Sequence, residues 1–562
     1  MNRQVLILNI TRMGDLVQMG ALLSRLQEEW PGVAVDVIVD RRFAAVASLL
    51  PGLRDIITYD FHALIDDSRA AVKNVTSLYA DLATWASPLA DRRYNRIINL
   101  TFNRPSALLA SYIGAPDIRG ARCAWDGESV IENPWMAYFT DMHHFRAMNR
   151  FNLVDVYALG GSGPGTYAPL SVRVTPAARD WARRFLTTAP EASQEWIAVQ
   201  AGASDVMKAW RPEHFGRTLA HLSSRWPGGI VLIGTPAEQD TIAQVVRVYR
   251  EAGGRNPVLN AAGHTTLEQL VGLLAECRLL LTNDTGPMHL AVGVQVPVID
   301  LSVGHVDFRE TGPYGPGHWV VQPELECAPC GFDQVCAHQS CKDRLPVTMV
   351  SELILHVLAK GECPSAAPGY RLYRSSVDED QLGSYCAVGT EESSDLDWYG
   401  RYWRRYWYES LTHTVSHIPA DSTLPRNAVA AAQHLAGMMP NVERLCRQAD
   451  AVVQAAAQAA AQAAQSPGSL QALQREQTAL RERVVLQGMA HIASSPVTTW
   501  FVRSIHQDHV RGLDRMARHH ALAYRQWRRH LTEIHRYLTQ SHPKSTLRRL
   551  AMFTDSPVAH SG

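Results

Sequence analysis

The chain has 562 residues, which exceeds one compact core and suits two nucleotide-fold-sized halves plus an appendage. Lys and Arg balance Asp and Glu at 54 each, so no global field points to nucleic acid, and 46% hydrophobic with 19% charged residues is an ordinary soluble composition. No apolar run approaches the roughly 20 residues that span a bilayer, and Met1-Asn2-Arg3-Gln4 leads directly into a short strand-like run, so the expectation is a cytoplasmic protein.

Gln4 to Ile10 (QVLILNI) is an apolar run of strand length, closed by Thr11-Arg12-Met13-Gly14-Asp15. Leu16, Met19, Leu22, Leu23 and Leu26 then fall on one helical face, so strand, glycine turn and helix open a βαβ unit. Residues after strand carboxyl ends are where doubly wound sheets place their sites, which makes Asp15 a candidate general base; its competing use is to cap the following helix. Further strands are predicted at 33–39, 55–59 and 96–100, separated by helix-like segments, and the alternation argues for a parallel sheet.

A Gly- and Pro-containing stretch near 160–190 leads to a second such series, with strands predicted at 196–200, 229–233, 279–281 and 296–301. Lys208 sits in a loop that leads into a helix, and Glu238 follows the Gly234 turn. The stretch Leu279 to Ala291 (LLLTNDTGPMHLA) is a strand, a Thr-Gly-Pro turn and a helix start. Free N–H groups and the positive helix end would meet at Thr285 to Met288, which suits a phosphate, while Asp284 could reach a hydroxyl of the molecule that carries it. An ordinary capped helix with Pro in its first turn fits that segment equally well. Two βα halves imply a cleft between them, a favoured place for a ligand.

Cys327, Cys330, Cys336 and Cys341 are spaced C-x2-C-x5-C-x4-C, with His338 inside. Four thiols so close suit a tetrahedral soft-metal site, and the spacing does not choose iron over zinc. Beyond about residue 365 the composition changes. Residues 375–398 are acidic and read as a solvated loop, and the run from Trp398 to Tyr408 sets aromatics and arginines at helical spacing, better suited to core or interface packing than to sugar stacking. Ala- and Gln-rich residues 428–465 favour helix and Pro467-Gly468 should break it, with further helices over about 470–487 and 500–538. Over 501–562 Arg and Lys outnumber Asp and Glu by eleven to four, a charge that could attract an anionic membrane surface or pair with the acidic stretch.

The segments ILNITRMGDLVQMGALLSRLQEEWPGVAVDVIVD and LTNDTGPMHLAVGVQVPVIDL resemble the two signatures of glycosyltransferase family 9, the bacterial heptosyltransferases, over roughly residues 1–360. NLTFNRPSALLASYIGAPDIRG and NRFNLVDVYALGG are similar to family segments as well. The resemblance implies a GT-B fold of class α/β: two Rossmann-like domains facing a cleft, acceptor-side over 1–175 and donor-binding over 176–365, plus an all-helical region over 366–562. It implies an inverting transfer, without a catalytic metal, of a heptose or related sugar from a nucleotide sugar such as ADP-heptose to a saccharide or protein hydroxyl. Asp15 matches the family's catalytic aspartate, Lys208 its donor-phosphate lysine, Glu238 its ribose-binding acid and Asp284 its sugar-binding acid. Thr285 and Gly286 would present N–H groups to the diphosphate, and His289 would contact phosphate or Asp284 or else be satisfied within the fold. The cysteine cluster resembles that of the autotransporter heptosyltransferase branch, where such a finger binds iron, which tilts the acceptor toward protein. The small Ala faces of the helical region suit homo-oligomerisation or a partner. A catalytically silent nucleotide-sugar-binding scaffold is the alternative, and a nucleic-acid role ranks lowest.

Overall fold

In the computed structural model the chain divides into two compact units, one of residues 1–121 and 151–391, the other of residues 122–150 and 392–562. The structure describes residues 3–10, 12–61, 75–189, 193–331, 336–359, 361–389, 394–421, 423–462, 467–506 and 513–539. Thr11, four residues inside the cysteine segment (332–335), part of the acidic stretch (390–393) and the last part of the basic stretch (540–562) lie outside them.

The first unit holds two sheets. Strands β1 (Gln4–Leu8), β2 (Ala34–Asp40), β3 (Asp55–Tyr59), β4 (Arg96–Asn99) and β5 (Asp117–Cys123) pair in parallel in the order β3-β2-β1-β4-β5. Val5, Leu6, Ile7 and Leu8 are fully buried, as expected of a parallel strand covered on both faces. A short strand β6 (Ser129–Ile131) belongs to the second unit.

The second sheet consists of β7 (Trp196–Gln200), β8 (Gly229–Leu232), β9 (Val258–Asn260), β10 (Leu279–Thr282), β11 (Val298–Leu301), β12 (Trp319–Pro323), β13 (Tyr370–Val377) and β14 (Gly383–Ala387). Its order is β14-β13-β12-β11-β10-β7-β8-β9, parallel from β9 to β12 with an antiparallel edge of β13 and β14. The strand order reverses beside β1 in the first sheet and beside β7 in the second. Loops at such points diverge and open a crevice at the strand carboxyl ends. Asp15 follows β1, Lys208 follows β7, and Asp284 follows β10, the strand beside β7.

The expected division at 365/366 falls just before β13, and the stretch read as an acidic solvated loop carries the end of β13 and all of β14. Its acids gather mainly in the turn between them and beyond, where Asp378 caps the turn by accepting from the Asp380 and Leu382 N–H groups. Charge counted over a window had blurred two alternating edge strands with their turn.

The second unit is built of helices Pro134–Asp141, Asp395–Thr412, Ala428–Gln462, Pro467–Met489, Ser495–His506 and Leu513–Thr539. Trp398, Trp403 and Trp407 are buried, so the aromatic run is core. Trp403 and Trp407, one turn apart, stack at 6.1 Å, and Trp407 meets Tyr138 edge-on at 6.2 Å. Arg503 donates to Asp141 at 2.6 Å and Arg150 pairs with Asp397 at 3.2 Å, so residues 122–150 are tied into the helices of the carboxyl-terminal third. Pro467 opens a helix, a position where its missing N–H has no partner to lose. Among the described residues no helix is long and apolar enough to cross a membrane.

Candidate functional site

The loops after β1, β7, β8 and β10 border one cavity of about 730 Å3 in the first unit. Asp15, Lys208, Glu238, Asp284, Thr285, Gly286 and His289 all line it, so residues far apart in sequence and contributed by both sheets share one space. The four cysteines do not line it.

Asp15 lies in the first turn of helix Met13–Gln18, whose N-cap position belongs to Arg12, so it is not the capping residue. Asn9 donates to the Asp15 carbonyl at 3.0 Å and fixes that turn against the end of β1. Two glycines let the β1 turn approach helix Gly286–Gly293. A Cβ on Gly14 would lie 3.1 Å from the His289 ring, and one on Gly286 would lie 2.0 Å from the Met13 methyl.

Thr285 is the N-cap of helix Gly286–Gly293, with its hydroxyl 3.2 Å from that of Thr282. Pro287 has no N–H and the Met288 N–H donates to the Thr285 carbonyl at 3.0 Å. The anion donors of this turn are thereby narrowed from the four residues expected to the N–H groups of Thr285 and Gly286. Asp284 is buried and accepts from the Thr311 hydroxyl at 2.5 Å, which leaves its other oxygen for a ligand hydroxyl. His289 is 4% exposed with a buried Nδ1 that has no partner among the described residues. Burial pushes its pKa down to about 4, against a smaller upward pull from Asp284, so the imidazole is neutral at pH 7.

Glu238 closes a capping box. One of its oxygens accepts from the Thr235 N–H at 2.6 Å and hydroxyl at 2.9 Å, and the other accepts from Gln200 at 3.2 Å. A Cβ on Gly202 would fall 1.8 Å from that second oxygen, so only glycine there lets the carboxylate sit at the cavity wall. Lys208 ends the short 3-10 turn Val206–Lys208, capped by Asp205, whose carboxylate accepts from the Met207 N–H at 2.8 Å. Asn283 ties the β10 end to this loop, accepting from the Trp210 N–H at 2.9 Å and donating to the Ala201 carbonyl at 3.0 Å.

Sequence reasoning missed Arg12, His305 and Thr311, which also line the cavity, and Asp300 on β11. Asp300 is fully buried with both carboxyl oxygens unpartnered among the described residues. Burial, and then the negative charge of Asp284, raise its pKa well above the ordinary aspartate value, with Lys208 opposing, which favours the protonated form. An acid inside the apolar run Val296 to Leu301 was the available signal.

Cys330 and Cys341 are buried, Cys336 is half-buried and Cys327 is exposed. Cys330 has its pKa raised by burial and, more weakly, by Cys327, Cys341 and Cys336. The Gln339 N–H donates to Cys336 Sγ at 3.3 Å. Among the described residues, no group of three or more His, Cys, Asp or Glu side chains is gathered as a metal site.

The model of glycosyltransferase family 9 (heptosyltransferase) matches residues 84–341. Lipooligosaccharide heptosyltransferase 2 of Campylobacter jejuni is 26% identical over 163 residues, 28% of this chain and 50% of that protein. Lipopolysaccharide heptosyltransferase 1 of Escherichia coli K12 is 23% identical over 327 residues, 58% of this chain and 94% of that protein. The chain thus spans about half the length of the Campylobacter relative and most of the E. coli one. A solved glycosyl transferase of family 9 from Veillonella parvula has 18% identity and a TM-score of 0.50, covering 64% of this chain and 99% of its own. That likeness shows a GT-B-like α/β fold for the two-sheet unit.

Proposed function

We propose that the protein is a heptosyltransferase-type glycosyltransferase that moves a heptose or related sugar from a nucleotide sugar, ADP-heptose first among candidates, to a hydroxyl of a saccharide or protein. The observation that carries this reading is the gathering of seven expected residues from two sheets around one cavity. Asp15 takes the proton of the acceptor hydroxyl as its oxygen attacks the anomeric carbon. The bond to the diphosphate breaks on the opposite face, which inverts the centre. Lys208 and the N–H groups of Thr285 and Gly286 receive the charge that builds on the departing diphosphate. That arrangement supplies positive charge from the chain itself, so the transfer is proposed to proceed without a catalytic metal.

Asp284 accepts from sugar hydroxyls, and Glu238 turns the oxygen now facing Gln200 to the ribose. His289, neutral, stands beside the diphosphate as a hydrogen-bonding group and not as a cation. The relatives act on lipopolysaccharide and lipooligosaccharide by name, and a glycan acceptor follows from them, whereas a protein acceptor rests on the cysteine pattern alone. Cys327, Cys330, Cys336 and Cys341 are proposed to hold a structural iron or zinc ion, on their C-x2-C-x5-C-x4-C spacing; metal analysis of the unmodified protein against Cys330→Ser tests it, and equal metal content would refute it. The helical unit is proposed to serve homo-oligomerisation.

The test of function is a donor screen by mass spectrometry with ADP-heptose, ADP-glucose, UDP- and GDP-sugars, beside an Asp15→Ala control. One donor consumed by the unmodified protein and spared by the variant is the expected outcome.

A further inference from the structure

Lys342 is 3% exposed, in the short 3-10 turn Ser340–Lys342 that follows the third cysteine. A lysine is seldom buried unless its ammonium is held, because removing the charge from water is costly. Here Nζ donates to a main-chain carbonyl, that of Val206, at 2.7 Å. The Lys342 carbonyl accepts from the Trp210 indole N–H at 2.8 Å and lies 3.2 Å from His214 Nδ1. One residue therefore grips both sides of the loop that presents Lys208.

The loop needs such a grip. Val206 is 70% exposed, so its side chain contributes little packing to hold the turn. Other fastenings include the Asp205 cap and the Asn283 bond to the Trp210 N–H, and the loop packs closely on Gly304, at φ +72°, where a Cβ would lie 2.3 Å from the Met207 carbonyl. Gly304 in turn accepts from the Cys330 N–H at 3.0 Å. The cysteine-bearing segment is thus bonded to both flanks of the lysine loop.

We propose that Lys342 is a positioning residue for Lys208: its ammonium, seated on the Val206 carbonyl, sets the turn from which Lys208 reaches a nucleoside diphosphate. This rests on the reading of the cavity as a nucleotide-sugar site. Lys342 is not among the residues that line the cavity, so on this proposal its influence runs through the loop that carries Lys208. Neutralising it should therefore weaken ligands that carry a diphosphate and spare those that lack one.

The experiment is isothermal titration of the full chain with ADP and with adenosine, for the unmodified protein, Lys342→Met, Lys208→Met and the double variant. Lys342→Met is expected to weaken ADP about tenfold, leave adenosine within about twofold, and add nothing further in the Lys208→Met background. Unchanged ADP affinity in Lys342→Met would overturn the proposal. So would an equal loss for adenosine, or the same loss with Lys208 already removed, since each marks a general structural role. If Lys342→Met does not fold, Trp210→Phe removes one of the same fastenings and should lower ADP affinity about threefold with adenosine unchanged; equal affinities there overturn the idea as well. If the unmodified protein binds neither ligand, the site reading itself fails and takes Lys342 with it. Binding of ADP that is indifferent to Lys342 discards the positioning role alone.

Discussion

At the residue scale, the proposed transfer assigns the proton to Asp15 and the charge to Lys208, both of which line the cavity. Replacing Asp15 by Ala should cut kcat roughly 10^2- to 10^4-fold while donor affinity stays within about threefold, measured by turnover and by titration. The two buried ionisable groups near them act in opposite directions on stability. The His289 pKa is pushed down to about 4 in the folded chain, so as pH falls the unfolded chain takes up its proton first. Its contribution is intact above the ordinary histidine pKa of about 6.5 and is lost as pH falls toward about 4, a change of about 3 kcal/mol. Asp300 has its pKa raised, so the folded chain keeps a proton that the unfolded chain releases once pH exceeds the ordinary aspartate value of about 3.9. Stability therefore drops as pH rises above that value, and Asp300→Asn removes the slope. Melting temperatures at pH 4.5 and 7.5 should show the Asn variant gaining on the unmodified protein as pH rises; a constant gap would contradict a protonated Asp300. Asp15 and Asp284 could be placed from the sequence because each follows a strand end, whereas Lys208 and Glu238 were marked by the family resemblance. Asp300 could not be placed so easily, since its meaning depends on which neighbours fold over it.

Each functional element is a strand end, a tight turn and a helix start, and the turns depend on glycines at close approaches. Gly202→Ala should push Glu238 out of its capping box, raising the KM for the donor about tenfold with kcat largely kept, and steady-state kinetics would separate this from a fold defect. Several strands were legible as short apolar runs: β3, β7 and β10 lie within about a residue of where the pattern put them, and β1 ends two residues sooner. β5 (DIRGARC) escaped because charged residues alternate along it, and β13 and β14 because an antiparallel edge keeps one face polar. The glycine approaches at Gly14, Gly202 and Gly286 were invisible for another reason: each answers a side chain distant in sequence.

At the scale of the whole molecule, both sheets and the helical region expected from the sequence are present, and an early segment joins the late helices. Residues 122–150 belong with residues 392–562, through Trp407 on Tyr138, Arg503 on Asp141 and Arg150 on Asp397. A chain cut at residue 391 would leave Trp135, Tyr138 and Phe145 without that cover, and is expected to aggregate or to melt well below the full chain; a truncation as stable and soluble as the full chain would contradict this. Sequence could mark the composition change near 365 but not the return of an early segment to the late helices, because such long-range packing has no local signature. The central claim is that one cavity joins an acceptor-side base to a donor-side anion site. The most direct measurement follows ADP-heptose loss by mass spectrometry, with a glycan acceptor present, for the unmodified protein and Asp15→Ala, alongside ADP titration of both. Turnover is expected only in the unmodified protein, with comparable ADP binding in the two. Turnover undiminished in Asp15→Ala, or no ADP bound by either, would contradict it.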